Sequence, residues 1–365
     1  MKPLVLLFSC IAVIGACNPG QHSSTGITAV SVDTMADLPP GLFSSLLDPW
    51  NRRVDQADTA LNSPDIINNL SAVDPDLSHQ FIFAELSVPY YVVNNAPLVV
   101  KIYGDPNGVQ GGNYSLPVDT QTLFPELSGK KPQISDPHLL ITDIGTKKLY
   151  ELYGPDSAGP ELWKHNGAAF FDLTKNEIGR ADGYTSADAA GLPILPGLLR
   201  YDELRAGVIN HALRITIANN TGLNAHLGPA ATHHPTNQQG YKTGDVIAWL
   251  PTGARLRLRA NVSEAHLSPG GLAIVHCLKT YGAVVADIGK PFAISGAQDL
   301  RFRQDAVMWR ADTTNGKISW TLRLSDSTGN RDIRWGDFQV IKMDAANIDT
   351  LIRNLPTPTV KARKN

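Results

Sequence analysis

A chain of 365 residues is long enough for two or three ordinary domains, or for one large β-rich unit with elaborations. A formal charge of −2 provides no polyanion-binding face, which argues against nucleic acid as a partner. Three cysteines exclude a disulfide-stapled scaffold and a thiolate zinc cluster, while 31 glycines and 25 prolines predict many turns in a folded chain.

The chain opens with Lys2 and an apolar run from Leu4 to Ile14, interrupted only by Ser9 and Cys10. Crossing about 30 Å of hydrocarbon takes around 20 apolar residues, so this run reads as a signal peptide and not as a permanent span. It closes on Ile14-Gly15-Ala16-Cys17, which resembles the lipobox of bacterial lipoproteins. The resemblance implies cleavage after residue 16 and a lipid anchor on Cys17, whose acyl chains hold the protein on a membrane. Asn18, where an Asp would imply inner-membrane retention, implies the outer membrane or cell surface. The other reading is an ordinary secretory signal with a chance cysteine.

Residues 17–40 are rich in Gly, Ser, Thr and Pro without apolar periodicity, and predict a flexible tether. Two short helices are expected next, over Asp58–Asn62 and Ser63–Leu70, the second with Ser63 as N-cap and Pro64 in the first turn. Strand patterns follow at Phe81–Phe83, Tyr90–Val93 and Leu98–Tyr103, with turns at Gly104–Gly108 and Gly111–Asn113. His138–Asp143 and Lys148–Tyr153 predict a hairpin, and Ala168–Leu173 another strand. His211–Ile217 alternates, so Leu213, Ile215 and Ile217 share one face and His211 has the same parity. Arg255, Arg257 and Arg259 alternate with leucines and are expected to meet solvent or anions. Pro269–Gly282 reads as a helix or mixed segment around an inert, buried Cys277. Trp320–Leu324 and Phe338–Lys342 read as late strands, and residues 356–365 as a disordered basic tail. Residues 41–355 show no strong linker and predict one mainly β unit, a β-sandwich or jelly roll with a few decorating helices and long irregular loops.

The most unusual stretch is Asp182–Glu203, too rich in Gly and Pro for a regular element yet apolar enough to be packed. It belongs with a set of blocks that includes Asp136-Pro-His-Leu-Leu, Lys148-Leu-Tyr-Glu-Leu, Ser186–Glu203, His211-Ala-Leu-Arg, Gly253–Leu258, Leu278-Lys-Thr-Tyr-Gly, Val285-Ala-Asp and Ile294-Ser-Gly-Ala. Over residues 45–345 these blocks resemble an uncharacterised family of secreted bacterial proteins, a resemblance that implies no particular activity. The family has Asn after Val-Ala-Asp, where this chain has Ile288.

Candidate chemistry comes from scattered side chains. Asp202, His211, Asp188 and Lys279 are candidates for acid, base or charge-stabilising roles, with Glu151 and Asp287 as further carboxylate partners. Arg200, His138, His234 and Tyr281 are candidates for substrate binding. Asp136 and His138 share one side of an extended chain, and with His211, His233 or His234 they offer a metal site or an acid–base cluster. The plainer reading keeps each histidine as a hydrogen-bonded core or loop residue. HExxH spacing is absent, so no metal is assigned. Gly-x-Ser-x-Gly, P-loop and Rossmann fingerprints are also absent, so no cofactor is assigned. Asp202 and Glu203, if extended, face opposite ways, and Arg200 then pairs with Asp202. Trp163, Tyr184, Trp249 and Trp309 are candidate sugar-stacking rings, with core packing as the competing role.

Two readings of function follow. One is a lipid-anchored carbohydrate-active enzyme, a polysaccharide hydrolase or lyase. The alternative is a non-catalytic glycan-binding or structural envelope lipoprotein. They differ in whether the polar residues meet in one solvent-filled concavity or lie sealed in a satisfied network.

Overall fold

Alternation in Leu213–Ile217 sorts the molecule into layers. Leu213, Ile215 and Ile217 enter one apolar cluster, and Arg214 points to the opposite side. The computed structural model describes residues 33–34, 36–73, 88–97, 100–104, 114–116, 137–159, 162–175, 180–218, 221–232, 249–264, 267, 269–289, 292–299, 301–304, 323–326 and 329–342. The lipobox, Phe81–Phe83, the turns within 105–113, Asp136, His233, His234, Trp309, Trp320 and the basic tail lie outside the described residues.

The fold is mainly β. In chain order the elements begin with β1 (Asp33–Thr34), a single π-helical turn (Leu47–Asn51), α1 (Ser63–Val73), β2 (Tyr90–Val93), β3 (Val100–Gly104) and β4 (Tyr114–Leu116). Next come β5 (His138–Asp143), β6 (Lys148–Tyr153), β7 (Asp156–Gly159), β8 (Leu162–His165), β9 (Gly167–Asp172), a 3₁₀ turn (Leu195–Gly197) and α2 (Tyr201–Ala206). Then follow β10 (Leu213–Ile217), β11 (Gly222–His226), β12 (Leu250–Thr252), β13 (Arg255–Leu258), α3 (Pro269–Thr280), β14 (Ala283–Ile288) and β15 (Ala293–Ile294). The chain continues with α4 (Arg301–Gln304), β16 (Arg323–Asp326), β17 (Gly329–Asp332), a second 3₁₀ turn (Trp335–Asp337) and β18 (Phe338–Val340).

Two open five-stranded sheets dominate, with orders β1-β2-β5-β6-β9 and β15-β10-β14-β13-β18. They are stacked in a sandwich-like way, but the layer between them holds more than interdigitated side chains. Ala187, Ala190, Leu192, Ile194, Leu195 and Leu198 of the irregular stretch share one apolar cluster with Leu140 and Leu149 of the first sheet and with Val284 and Ala286 of the second. The other face of the second sheet packs under α1 and α3, where Ile66, Leu70, Ile274 and Leu278 meet Leu213, Ile215 and Val285. A smaller sheet runs β4-β3-β8-β7. Parallel pairing joins β2 to β5 and β10 to β14, so long stretches of chain separate hydrogen-bonded neighbours.

The expected β5–β6 hairpin is present, with His138 opposite Tyr153 and Asp143 opposite Lys148. Its turn is held by buried Asp143, whose Oδ1 accepts from the N–H groups of Asn95, Gly145 and Thr146. In the second sheet, Ile215 pairs with Val285 but Thr216 pairs with Asp287, so the register skips Ala286. Such a bulge re-aims the next side chain, here Asp287, towards Arg214. The Ala286 carbonyl accepts the Ala190 N–H, tying the irregular stretch to the bulge.

Several local expectations change in the folded chain. Residues 33–34 and part of 36–40, expected in the tether, join the body. β1 pairs with β2, Leu38 is buried, and the Tyr90 hydroxyl donates to the Ala36 carbonyl. Asp58–Asn62 is not helical, because its backbone bonds go to the last strand. Ala60 N–H donates to Val340 O, Lys342 N–H donates to Asp58 O, and Thr59 bridges Ile341. Ser63 does open α1, but its hydroxyl accepts the Val340 N–H. Arg255, Arg257 and Arg259 meet neither bulk solvent alone nor an anion as their main partner. Arg257 donates to the carbonyls of Val54, Asp55 and Ala57, Arg255 to Arg52 O, and Arg259 to Gly336 O.

Gly197 illustrates how closely the inner layer is packed. A methyl group there would overlap the six-membered ring of fully buried Trp50. Gly197→Ala is expected to lower stability by about 1–3 kcal/mol through overpacking. Urea denaturation checks this: the midpoint falls while the slope with denaturant stays at the wild-type value.

Candidate functional site

Two polar networks contain most of the candidate residues. The first lies between the sheets. Asp188 sits in the irregular stretch, its backbone bent back so that Ser186 Oγ accepts its N–H. Arg214 crosses from β10, and its Nε donates to Asp188 Oδ1 at 2.9 Å; Nη2 donates to the same oxygen. The guanidinium also donates to Asp287 Oδ2 at 3.0 Å and to Ser295 Oγ at 2.6 Å. On the other side, Glu151 projects from β6 with both carboxyl oxygens on backbone amides. Ile194 N–H lies 2.9 and 2.8 Å from Oε1 and Oε2, and Leu195 N–H lies 2.9 Å from Oε1. Those are the amides that open the 3₁₀ turn, where free N–H groups favour an oxygen acceptor.

Burial dominates the electrostatics here. It pushes the Glu151 carboxyl up to about 8 against the pull of the two amides. It also raises Asp188, with Arg214 opposing and Asp287 reinforcing the rise. Arg214 itself is penalised by burial, but Asp188 and Asp287 outweigh that cost and raise its pKa.

The second network surrounds α2. Sequence parity treated Asp202 and Glu203 as strand neighbours, but the chain turns helical from Tyr201 after an extended Arg200 at the N-cap. Gly207, in the left-handed conformation at φ 73°, ends the helix after six residues. Helical spacing brings Arg200 Nη2 onto Glu203 Oε1, three residues on, and leaves Arg200 Nε 3.6 Å from Asp202 Oδ1. His211 closes the other side of Glu203. Its Nε2 lies 2.9 Å from Oε1, and its Nδ1 lies 2.8 Å from Ala212 O. Burial would raise Glu203, but Arg200 and His211 reverse this and hold it below the usual carboxylate range. Asp202 is raised by burial more than Arg200 lowers it. Cys277 donates its thiol hydrogen to His211 O, and burial pushes that thiol well up, as suits an inert structural cysteine.

The remaining candidates are elsewhere. Lys279 lies in the last turn of α3 and donates to Val262 O at 2.7 Å and Glu264 Oε1 at 2.6 Å. Tyr281 has the Arg53 guanidinium 6.0 Å above its ring. His138 donates from Nε2 to Ala187 O at 3.1 Å and packs against Tyr153. His234 and Cys17 are outside the described residues. Of the candidate sugar-stacking rings, Trp163 is buried, Trp249 packs against the core, and Tyr184 is 47% exposed.

Asp188 is 1% exposed, His211 5%, Arg214 6% and Arg200 7%, so none of the four presents a reactive face to solvent. Among the described residues, no hydrogen bond or ion pair links the Asp188 network to the Glu203 network. Among those residues, too, no group of three or more His, Cys, Asp or Glu side chains is placed to hold a metal ion. Arg214 and Ser295 are not among the residues the sequence singles out, and Glu203 enters there only as the neighbour of Asp202. Arg214 carried a usable signal, since a charged residue alternating with core leucine and isoleucine must either reach solvent or meet a buried counter-charge.

Comparison with family models, with curated proteins and with solved structures finds no match to this chain.

Removing one member of a buried charge pair leaves its partner uncompensated. Glu203→Gln is therefore expected to cost about 3–5 kcal/mol. Lys279→Ala, at a partly exposed pair, is expected to cost about 1 kcal/mol or less. Thermal unfolding of the two variants beside wild type checks the order, and a Glu203→Gln midpoint equal to that of Lys279→Ala contradicts the structural role given to this network.

Proposed function

We propose that this chain is a lipid-anchored extracytoplasmic protein that binds glycan without cleaving it, its buried polar residues serving to specify the fold. The observation that carries the non-catalytic part is the burial of Asp188, Arg200 and His211, with Asp188 1% exposed and answered by Arg214. Hydrolase and lyase chemistry needs carboxyl, imidazole or ammonium groups that touch substrate. Here those groups are consumed by one another, which is what fold-specifying polar networks require.

The glycan part rests on a smaller observation. Tyr184 is 47% exposed at the start of the irregular stretch, two residues from Asp182, whose carboxylate meets His226. An exposed aromatic ring is suited to a sugar's apolar face, and a polar pair two residues away in the chain to its hydroxyls. The anchor rests on Ile14-Gly15-Ala16-Cys17 and its likeness to a lipobox.

Three measurements test the reading. Metabolic labelling with an alkyne fatty acid should mark the wild-type chain and fail to mark Cys17→Ser; equal labelling removes the anchor. On a glycan array, Tyr184→Ala should weaken binding about tenfold while its melting temperature stays unchanged. Reducing-end assays on bound polysaccharides should show no product. Product release that disappears in Asp202→Asn would restore the enzymatic reading.

A further inference from the structure

The layer between the sheets is unbalanced in charge. Glu151, Asp188 and Asp287 converge on it with one guanidinium, Arg214. Asp287 is partly open to water, with 23% of its side chain exposed, but the Asp188 side chain is wholly buried. Asp188 Oδ2 has no hydrogen-bond partner among the described residues. Glu151 and Asp188 tie the irregular stretch to different sheets. Glu151 binds it to the first sheet through the Ile194 and Leu195 amides, and Asp188 binds it to the second through Arg214. Three ionised carboxylates around one guanidinium, with Glu151 and Asp188 shut off from water, carry too much negative charge for a stable interior. One proton retained in the cluster lowers that excess from two negative charges to one.

We infer that Glu151 and Asp188 form a proton-dependent latch, in which a proton kept between the sheets holds residues 186–199 in place and its loss releases them. The other charged and titratable groups around the latch are few. Arg214 and Asp287 face it from the second sheet, and His138 packs beside Tyr153 where it meets Ala187 O. Arg180 donates to Thr185 O just upstream of the stretch. Burial raises Glu151 to about 8, above the ordinary carboxyl range of about 4, and raises Asp188 in the same direction. Both groups therefore take up protons on folding. The stability they contribute is complete below about pH 4 and is lost as pH rises, with Glu151 dominating between about 6 and 8.

The test compares the full chain with Glu151→Gln, which has no proton to lose at this position. In wild type the unfolding constant should rise about tenfold more per pH unit between pH 6 and 8 than in the variant. Hydrogen exchange, corrected for its intrinsic pH dependence, should accelerate in peptides covering 186–199 before it does in α3. Equal pH slopes for the two proteins, or exchange in 186–199 that never outpaces α3, overturns the latch. Should Glu151→Gln not fold, ¹³C-carboxyl NMR of wild-type protein labelled at glutamate decides the matter. One glutamate titrating near pH 8 supports it, and all glutamates titrating below pH 6 overturns it.

Discussion

Arg214 enters the layer between the sheets from the face of β10 opposite its core-forming leucine and isoleucines, and much of the interior is arranged around that one charge. A guanidinium only 6% exposed must be answered by acceptors or it destabilises the fold. Asp188, Asp287 and Ser295 answer it, each from a different part of the chain. Asp188 needs the irregular stretch to bend inward, and Asp287 needs the bulge at Ala286 in β14. The stretch in turn becomes a wall of the apolar cluster that joins the two sheets. A segment with so many glycines and prolines forms no ladder of its own. Its backbone groups are satisfied piecemeal, by Glu151, by Ala286 O, and by the Ser295 carbonyl that accepts from Leu199.

The Glu203 network solves a similar problem by other means. One carboxylate is shared by Arg200 and His211, all three being close to fully buried. The shared carboxylate fixes the start of α2 against the approach to β10, and Cys277 of α3 seals the same corner by donating to His211 O. Together the two networks account for why a stretch without regular structure is nonetheless among the least exposed parts of the molecule: Ala190, Leu192, Leu195, Leu198 and Leu199 have no measurable exposure. An interior that mixes apolar packing with charged ties specifies one arrangement strongly, because a shifted register would strand a buried charge as well as expose a side chain.

How far the sequence could be read depended on the range of the interactions involved. The β5–β6 hairpin, β10 and α3 were legible because their patterns are local: alternation for the strands, near-helical apolar spacing and a leading proline for the helix. Asp58–Asn62 looks helical in isolation but is not, because its partners, Val340 and Lys342, lie some 280 residues away in the chain. For Asp202 and Glu203 no local signal announces a six-residue helix that depends on Arg200 and on Gly207 at its end. Among the site candidates, the Arg200–Asp202 contact was legible as a near-neighbour ion pair, while the stronger Arg200–Glu203 contact followed only from the helical turn. For Arg214, alternation reveals that the residue faces away from the leucine and isoleucines of β10, not whether that second face is wet.

Composition and pattern by themselves determined a mainly β chain, the β5–β6 hairpin and the apolar face of β10, since each depends on residues within about a dozen positions of one another. Tertiary structure alone decided that the second face of β10 is buried, that the irregular stretch fills the space between two sheets, and that Asp188 and His211 belong to separate networks. The reason is physical: a side chain's charge state and its access to water are set by whatever elements close over it, and those elements come from distant parts of the chain.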